Sequence, residues 1–275
     1  MVMTDKSNGE VKTAPVEDLG FVVLEHPQIT LSTALIQLMS EHNVGVVFCD
    51  NSHHPCSMML NLDANQTETE RFRFQALASE GLRKNLWMQT VKAKIRNQAA
   101  LLGSAGKNEQ ALLRLADQVR SGDPHNLEAQ ASRRYWPSLF GSQFLRARAG
   151  PEPNPALNYG YAILRAATAR ALAGSGLLPA LGIHHRNRYN SFCLADDMME
   201  PYRPFVDLIV TQMRDSGMNL GSLGRREKSE LLTVLTSDTV TGGKRRPLML
   251  ALTETSSSLV RCLMGEAKKL VFPEL

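Results

Sequence analysis

Two imidazoles precede three carboxylates in GIHHRNRYNSFCLADDMMEPYRP, residues 182–204. His184, His185, Asp196, Asp197 and Glu200 form a mixed nitrogen and oxygen donor set, which suits magnesium or manganese better than a thiolate-seeking metal. The spacing also has a plainer meaning. Asp197 and Glu200 stand as D-x-x-E, the arrangement of a helix N-cap and its third-residue partner, and Pro201 is tolerated in a first turn. The two meanings are compatible. Residues three apart at a helix start are neighbours, with Cβ atoms ~5–6 Å apart, and the preceding loop lets His185 fold back towards them. Glu128, in DPHNLEAQASRRYW (123–136), is a further carboxylate. It falls in the second turn of a helix that Asp123 can cap, with Pro124 at the first helical position. Taken alone, such a glutamate reads as a solvated surface residue. His53-His54 repeats the histidine pair in a loop, without neighbouring carboxylates.

The elements that must carry these side chains are of two kinds. Residues 19–25 (LGFVVLE) and 44–50 (VGVVFCD) are short apolar runs bounded by turn residues, as buried strands are. Between them, 30–43 has helical spacing that places Leu31, Leu35, Leu38 and Met39 on one face. Residues 51–57 read as a loop and 58–62 as a last strand. From Thr67 the pattern turns helical. Thr67 and Glu70 form a T-x-x-E box that starts a long helix, or a helix pair meeting near Gly81, through residue 102. Further helices are expected over 108–121, 124–136, 155–174, 197–216, 225–236 and 251–270, with 103–108, 146–155 and 237–247 as connectors. The fold class is therefore α+β. A small N-terminal β-rich domain (1–65) precedes a larger, mainly α-helical domain (66–275) that would bind the metal.

Composition narrows the function. No apolar run approaches the ~20 residues a membrane span needs, and the polar start lacks a signal-peptide core, so a cytoplasmic protein is expected. Cys49, Cys56, Cys193 and Cys262 form no CxxC pair, which argues against a zinc ribbon and for reduced thiols. A net charge of +4 says little by itself. Yet basic pairs recur at 83–84, 133–134, 225–226, 244–246 and 268–269, and beside an acidic metal site they suit a polyanion. Tyr135 and Trp136, next to Leu139 and Phe140, read as core rather than as a base-stacking pair.

LGFVVLEHPQITL, LWMQTVKAKIRNQAALL, GDPHNLEAQASRRYW, LNYGYAILRAATARALAGSGLLPALGIHH and LADDMMEPYRPFVD resemble, in order, the CRISPR-associated Cas-one family, in the variant found beside the Cas-nine effector. The likeness runs from about Leu19 to Leu275. It implies a metal-dependent DNA integrase and endonuclease of adaptive immunity. There the 3′-hydroxyl of a foreign fragment attacks a repeat phosphodiester and displaces another 3′-hydroxyl; water in its place gives nuclease activity. Matched position by position, Glu128, His185 and Glu200 are the catalytic residues and ligands of Mg2+ or Mn2+, and Asp197 is a supporting carboxylate. The resemblance further implies double-stranded DNA as substrate, a homodimer, and a Cas-two partner with the Cas-nine effector nearby. Arg133, Arg134, Arg186 and Arg188 flank the ligands and are the expected phosphate contacts, with Lys92, Lys94 and Arg96 as a second basic face. In place of the family's opening strands stands the polar MVMTDKSNGEVKTAPVED. Alternatives to integration are a nuclease of branched DNA, a catalytically silent DNA-binding scaffold, and a zinc hydrolase of small phosphoesters.

Overall fold

A computed structural model describes residues 1–5, 8–51, 55–60 and 67–275. The expected α+β class is present: a strand-rich N-terminal region leads into a larger helical part. The domain boundary at 65/66 and the His53-His54 pair lie outside the described residues.

The polar N-terminus forms strands after all. Val2–Thr4 (β1) and Val11–Thr13 (β2) pair antiparallel, and the Met1 ammonium donates to the Ala14 carbonyl at 2.6 Å. Val2, Met3 and Val11 stay exposed, so the hydrophobic pattern carried no signal for this hairpin. Phe21–Leu24 (β3), Thr33–Glu41 (α1) and Gly45–Cys49 (β4) then make a β-α-β unit with β3 and β4 parallel. Ser32 caps α1 by accepting the Leu35 N–H at 3.2 Å. Leu31, Leu35 and Met39 pack into a small core with Val44 and Val46; Leu38, expected on that face, is exposed. Pro55–Met59 (β5) pairs antiparallel with β4. This strand starts three residues before the expected one, because pairing of Cys49 with Pro55 sets its register, and proline is acceptable at the first position of a strand.

Glu68–Leu77 (α2) and Glu80–Ser104 (α3) are the expected helix pair. The break falls at Ala78 and Ser79, both extended, and Ser79 caps α3; Gly81 lies inside the helix. Gln110–Gln118 (α4), Leu127–Phe140 (α5) and Asn154–Gly174 (α6) follow. The expected helix over 197–216 is two helices, Cys193–Met199 (α7) and Arg203–Asp215 (α8), joined by a 3-10 turn at Glu200–Tyr202. Arg225–Leu232 (α9) runs into a second 3-10 turn, and Leu248–Leu263 (α10) stops at Gly265, whose φ is +81°.

The supposed connector 237–247 is a hairpin, Asp238–Thr241 (β6) with Lys244–Pro247 (β7), and Pro273–Glu274 (β8) pairs with β6. Gly242 and Gly243 both take positive φ at its turn, the conformation that a two-residue hairpin loop requires. The helical core has two parts. One gathers around α3, α4 and α5, and the other around α6, α8 and α10. No helix among the described residues is long and apolar enough to cross a membrane.

Candidate metal centre and DNA cleft

Three segments carry the residues that the sequence offers as ligands. Asp123 and Asn126 both adopt left-handed backbone, φ +47° and +50°, a region Asp and Asn tolerate better than most residues. That turn aims both side chains at the start of α5. Asp123 accepts from Leu127 N–H (2.9 Å) and Glu128 N–H (3.0 Å), and Asn126 from Ala129 N–H (3.3 Å). Asp123 therefore caps, but from farther back than expected, and Glu128 emerges in the first turn of α5.

Asp197 is not an N-cap. It sits inside α7, fully buried, and its carboxylate reaches the incoming loop. It accepts the His184 N–H at 2.9 Å and the His185 N–H at 3.2 Å, and meets His185 Nδ1 at 2.5 Å. Gly182 permits this closure: a Cβ there would lie 2.3 Å from the His185 carbonyl oxygen and 2.9 Å from Asp197 Oδ2. With Nδ1 engaged by Asp197, Nε2 is the imidazole nitrogen left for a ligand, the usual arrangement of a carboxylate-oriented metal histidine. The Asp197 hydrogen bond raises the His185 pKa against the effect of burial. His184 goes elsewhere: it stacks on Trp87, ring centroids 4.0 Å apart and ring planes nearly parallel.

Glu200 opens the 3-10 turn. Asn97 of α3 fixes that turn by donating to the Pro201 carbonyl at 2.8 Å. Glu200 is buried, and its Oε1 accepts from Arg203 Nε at 2.8 Å. Burial, the largest influence, opposes its charge, but Arg203 and Lys94 together outweigh it and bring its pKa down to about 2.

Lys94 joins the two glutamates. Its Nζ lies 2.6 Å from Glu128 Oε1 and 2.5 Å from Glu200 Oε2. The expectation that Lys94 belongs to an exposed DNA-binding face is thus overturned: it is only 8% exposed and points inward. Lys92 and Arg96 line a different groove, beside Lys268 and Phe272, because positions two apart on a helix face nearly opposite ways.

Glu128 and Glu200 thus converge on one cationic group, and His185 shares a cleft of about 940 Å³ with Glu200. Among the described residues no three acidic, histidine or cysteine side chains are already closed around a common point. The donor chemistry nevertheless fits a hard divalent ion: two carboxylates that already attract one cation, and an imidazole with Nε2 spare. Glu200 Oε2, though ion-paired, makes no well-directed hydrogen bond, which leaves it a usable lone pair.

The cleft wall is basic. Arg146, Arg148, Arg165 and Arg203 line it, with Asn158, Tyr161 and Asp196. Asp50, Pro55 and Cys56 from the β4–β5 hairpin close its far side. Arg133, Arg134, Arg186 and Arg188 are exposed and do not line it. The cleft arginines were hidden in RARAG, whose composition reads as a connector, and inside α6. Arg203 alone had a local signal, three residues after Glu200. Beneath the cleft, Tyr161 and Tyr135 donate to the buried Asp207, the latter at 2.7 Å. Trp136 packs with Phe140 and Phe144, so the aromatic pair at 135–136 is core, as expected.

The family model for CRISPR associated protein Cas1 matches residues 1–237. The chain belongs to the Cas1 family. Within that family it is 39% identical over 232 residues to the CRISPR-associated endonuclease Cas1 of Neisseria meningitidis serogroup C (strain 8013), covering 84% of this chain and 76% of the relative. Among solved structures it resembles a casposase bound to integration product, with a TM-score of 0.79 at 20% identity, covering 98% of this chain and 85% of the other. It also resembles a chain of a Cas6-RT-Cas1–Cas2 complex, with a TM-score of 0.74 at 21% identity, covering all of this chain and 35% of the other. At these identities the structural likenesses establish the Cas1 fold.

Proposed function

We propose that this Cas1-family chain is a metal-dependent DNA endonuclease and integrase that inserts foreign fragments into a CRISPR array. One observation carries the reading: Glu128 and Glu200, from separate elements, meet at a single cation, and Glu200 lines an arginine-walled cleft together with His185. The names of its relatives support it, an endonuclease in one case and an integration product in another.

Mg2+ or Mn2+, held by Glu128, His185 and Glu200, would supply Lewis-acid stabilisation of charge on the phosphate and on the departing oxygen. The remaining work belongs to the chain. Asp197 holds the His185 ring and its tautomer. Arg203 holds Glu200 charged and faces the cleft. Arg146, Arg148 and Arg165 bind phosphates and set strand register without reading bases. The attacking 3′-hydroxyl is brought into line by these contacts, so most of the rate comes from positioning and charge stabilisation. One phosphodiester replaces another, and no side chain has to become a covalent nucleophile.

In the same reading the working form is a cytoplasmic homodimer with a Cas2 partner, in company with the Cas-nine effector; the Cas1–Cas2 composition of one structural relative supports the second element. The test mixes this protein, its Cas2 partner, a fragment with a free 3′-hydroxyl, a repeat-bearing plasmid and Mn2+. Joining is expected with the free end and not with a 3′-blocked end. Equal joining of both, or unchanged activity in Glu200→Gln, would overturn the proposal.

A further inference from the structure

We propose that Lys94 is a positioning residue that acts as a resident counter-ion: its ammonium holds Glu128 and Glu200 together while no divalent cation is bound, and it gives up at least Glu200 when one binds. The inference rests on the reading of those two glutamates as metal ligands.

Two carboxylates that share a site resist being charged together unless a cation lies between them. Lys94 is that cation in this structure, in contact with one oxygen of each. The arrangement spans three elements, since Lys94 stands on α3, Glu128 on α5 and Glu200 on the 3-10 turn. It therefore sets the distance between segments that the backbone alone does not fix. One turn further along α3, Asn97 pins the same 3-10 turn through the Pro201 carbonyl, so α3 grips the Glu200 segment by side chain and by main chain. Lys94 is itself buried, and an ammonium in that position is stable only while paired.

The contacts also say which one yields. Glu200 Oε1 keeps a well-directed bond to Arg203, while Oε2 faces Lys94 in an ion pair that is not a good hydrogen bond. A divalent ion needs a carboxylate lone pair, and Oε2 is the one least committed. Two carboxylates, Lys94 and Arg203 balance in formal charge. Adding two positive charges with Lys94 in place would leave cations facing one another at short range, which favours rotation of the flexible lysine stem away from the ion. Metal loading and lysine release are then one event, and the metal's apparent affinity is reduced by the ammonium it displaces.

Titration of the full-length protein with Mn2+, followed by calorimetry and by the electron-paramagnetic signal of free Mn2+, tests this without any DNA reaction. Lys94→Met is expected to bind Mn2+ at least tenfold more tightly than wild type, while its melting temperature in EDTA falls by several degrees and is recovered by Mn2+. Lys92→Met, which removes the same charge from the other side of α3, is expected to change Mn2+ affinity less than twofold. Lys94→Arg, which keeps the charge, should not tighten binding and serves if the methionine variant does not fold. Unchanged or weaker Mn2+ binding in Lys94→Met overturns the displacement, and additive melting shifts in EDTA for Lys94→Met and Glu128→Gln overturn the holding role. Absence of Mn2+ binding in wild type would defeat the metal reading and the displacement with it; the EDTA cycle alone would then decide whether Lys94 ties the two glutamates.

Discussion

Glu200 and Asp207 stand about two helical turns apart, both buried, and the molecule treats their charges in opposite ways. Glu200 faces Lys94 and Arg203, and its pKa falls to about 2. Asp207 is surrounded by the phenols of Tyr135 and Tyr161; burial pushes it up to about 6 in spite of their hydrogen bonds. One carboxylate is kept charged by cations and lies at the cleft. The other is kept by neutral donors and lies in the core, under a cleft tyrosine whose ring Arg203 covers at 4.5 Å. Burial alone does not make a functional carboxylate; the sign of what surrounds it decides whether it can serve a cation.

That contrast can be broken experimentally. Glu200→Gln removes charge from the cation-facing position and is expected to lower DNA joining and cleavage on the order of a thousandfold, measured in single turnover; Asp207→Asn should leave most of the rate. In EDTA, Glu200→Gln leaves a buried Lys94 and Arg203 short of a partner, with an expected loss of about 3–5 kcal/mol in denaturant unfolding.

The pH dependences should have opposite signs. Asp207, raised from 3.8 to about 6, makes the fold more stable as pH falls from about 7 to 4, on the order of 3 kcal/mol. Asp207→Asn should flatten that slope. Glu200, lowered from 4.5 to about 2, adds stability that is fully present above pH 4.5 and lost as pH falls towards 2, and Glu200→Gln should abolish this acid-side loss.

Asp197→Asn loosens the imidazole without touching either glutamate and should weaken Mn2+ binding roughly 10–100-fold. The smallest effects belong to single phosphate contacts. Arg165→Ala should weaken DNA binding and reduce the salt slope by about one, while Lys92→Ala, outside the cleft, should leave binding to the cleft unchanged.

Much of this was readable in the residues, but unevenly. The β-α-β unit and most helices followed from apolar spacing. The N-terminal hairpin and the 238–247 hairpin did not, the first because its strands are exposed and polar, the second because its Gly-Gly turn and polar flanks have the composition of a connector. Glu128, His185 and Glu200 came from the family resemblance; spacing alone favoured a helix cap for Asp197, and that carboxylate caps nothing. It binds a loop from the side of a helix, which no local pattern encodes. The buried position of Lys94 is hidden for a similar reason. In KAKIR it looks like one more solvated base, and only the packing register of α3 turns it inward between two distant glutamates.

Gln75 of α2 is buried and grips the segment just before the histidines: its amide group donates to the Leu178 and Leu181 carbonyls and accepts the Leu178 N–H, each at 2.9 Å. Arg71, one turn earlier, holds the Ser175 carbonyl. The segment that leads into residue 185 and its imidazole is thereby tied to α2. The placement of that ring therefore depends on two side chains of α2 that line no part of the cleft.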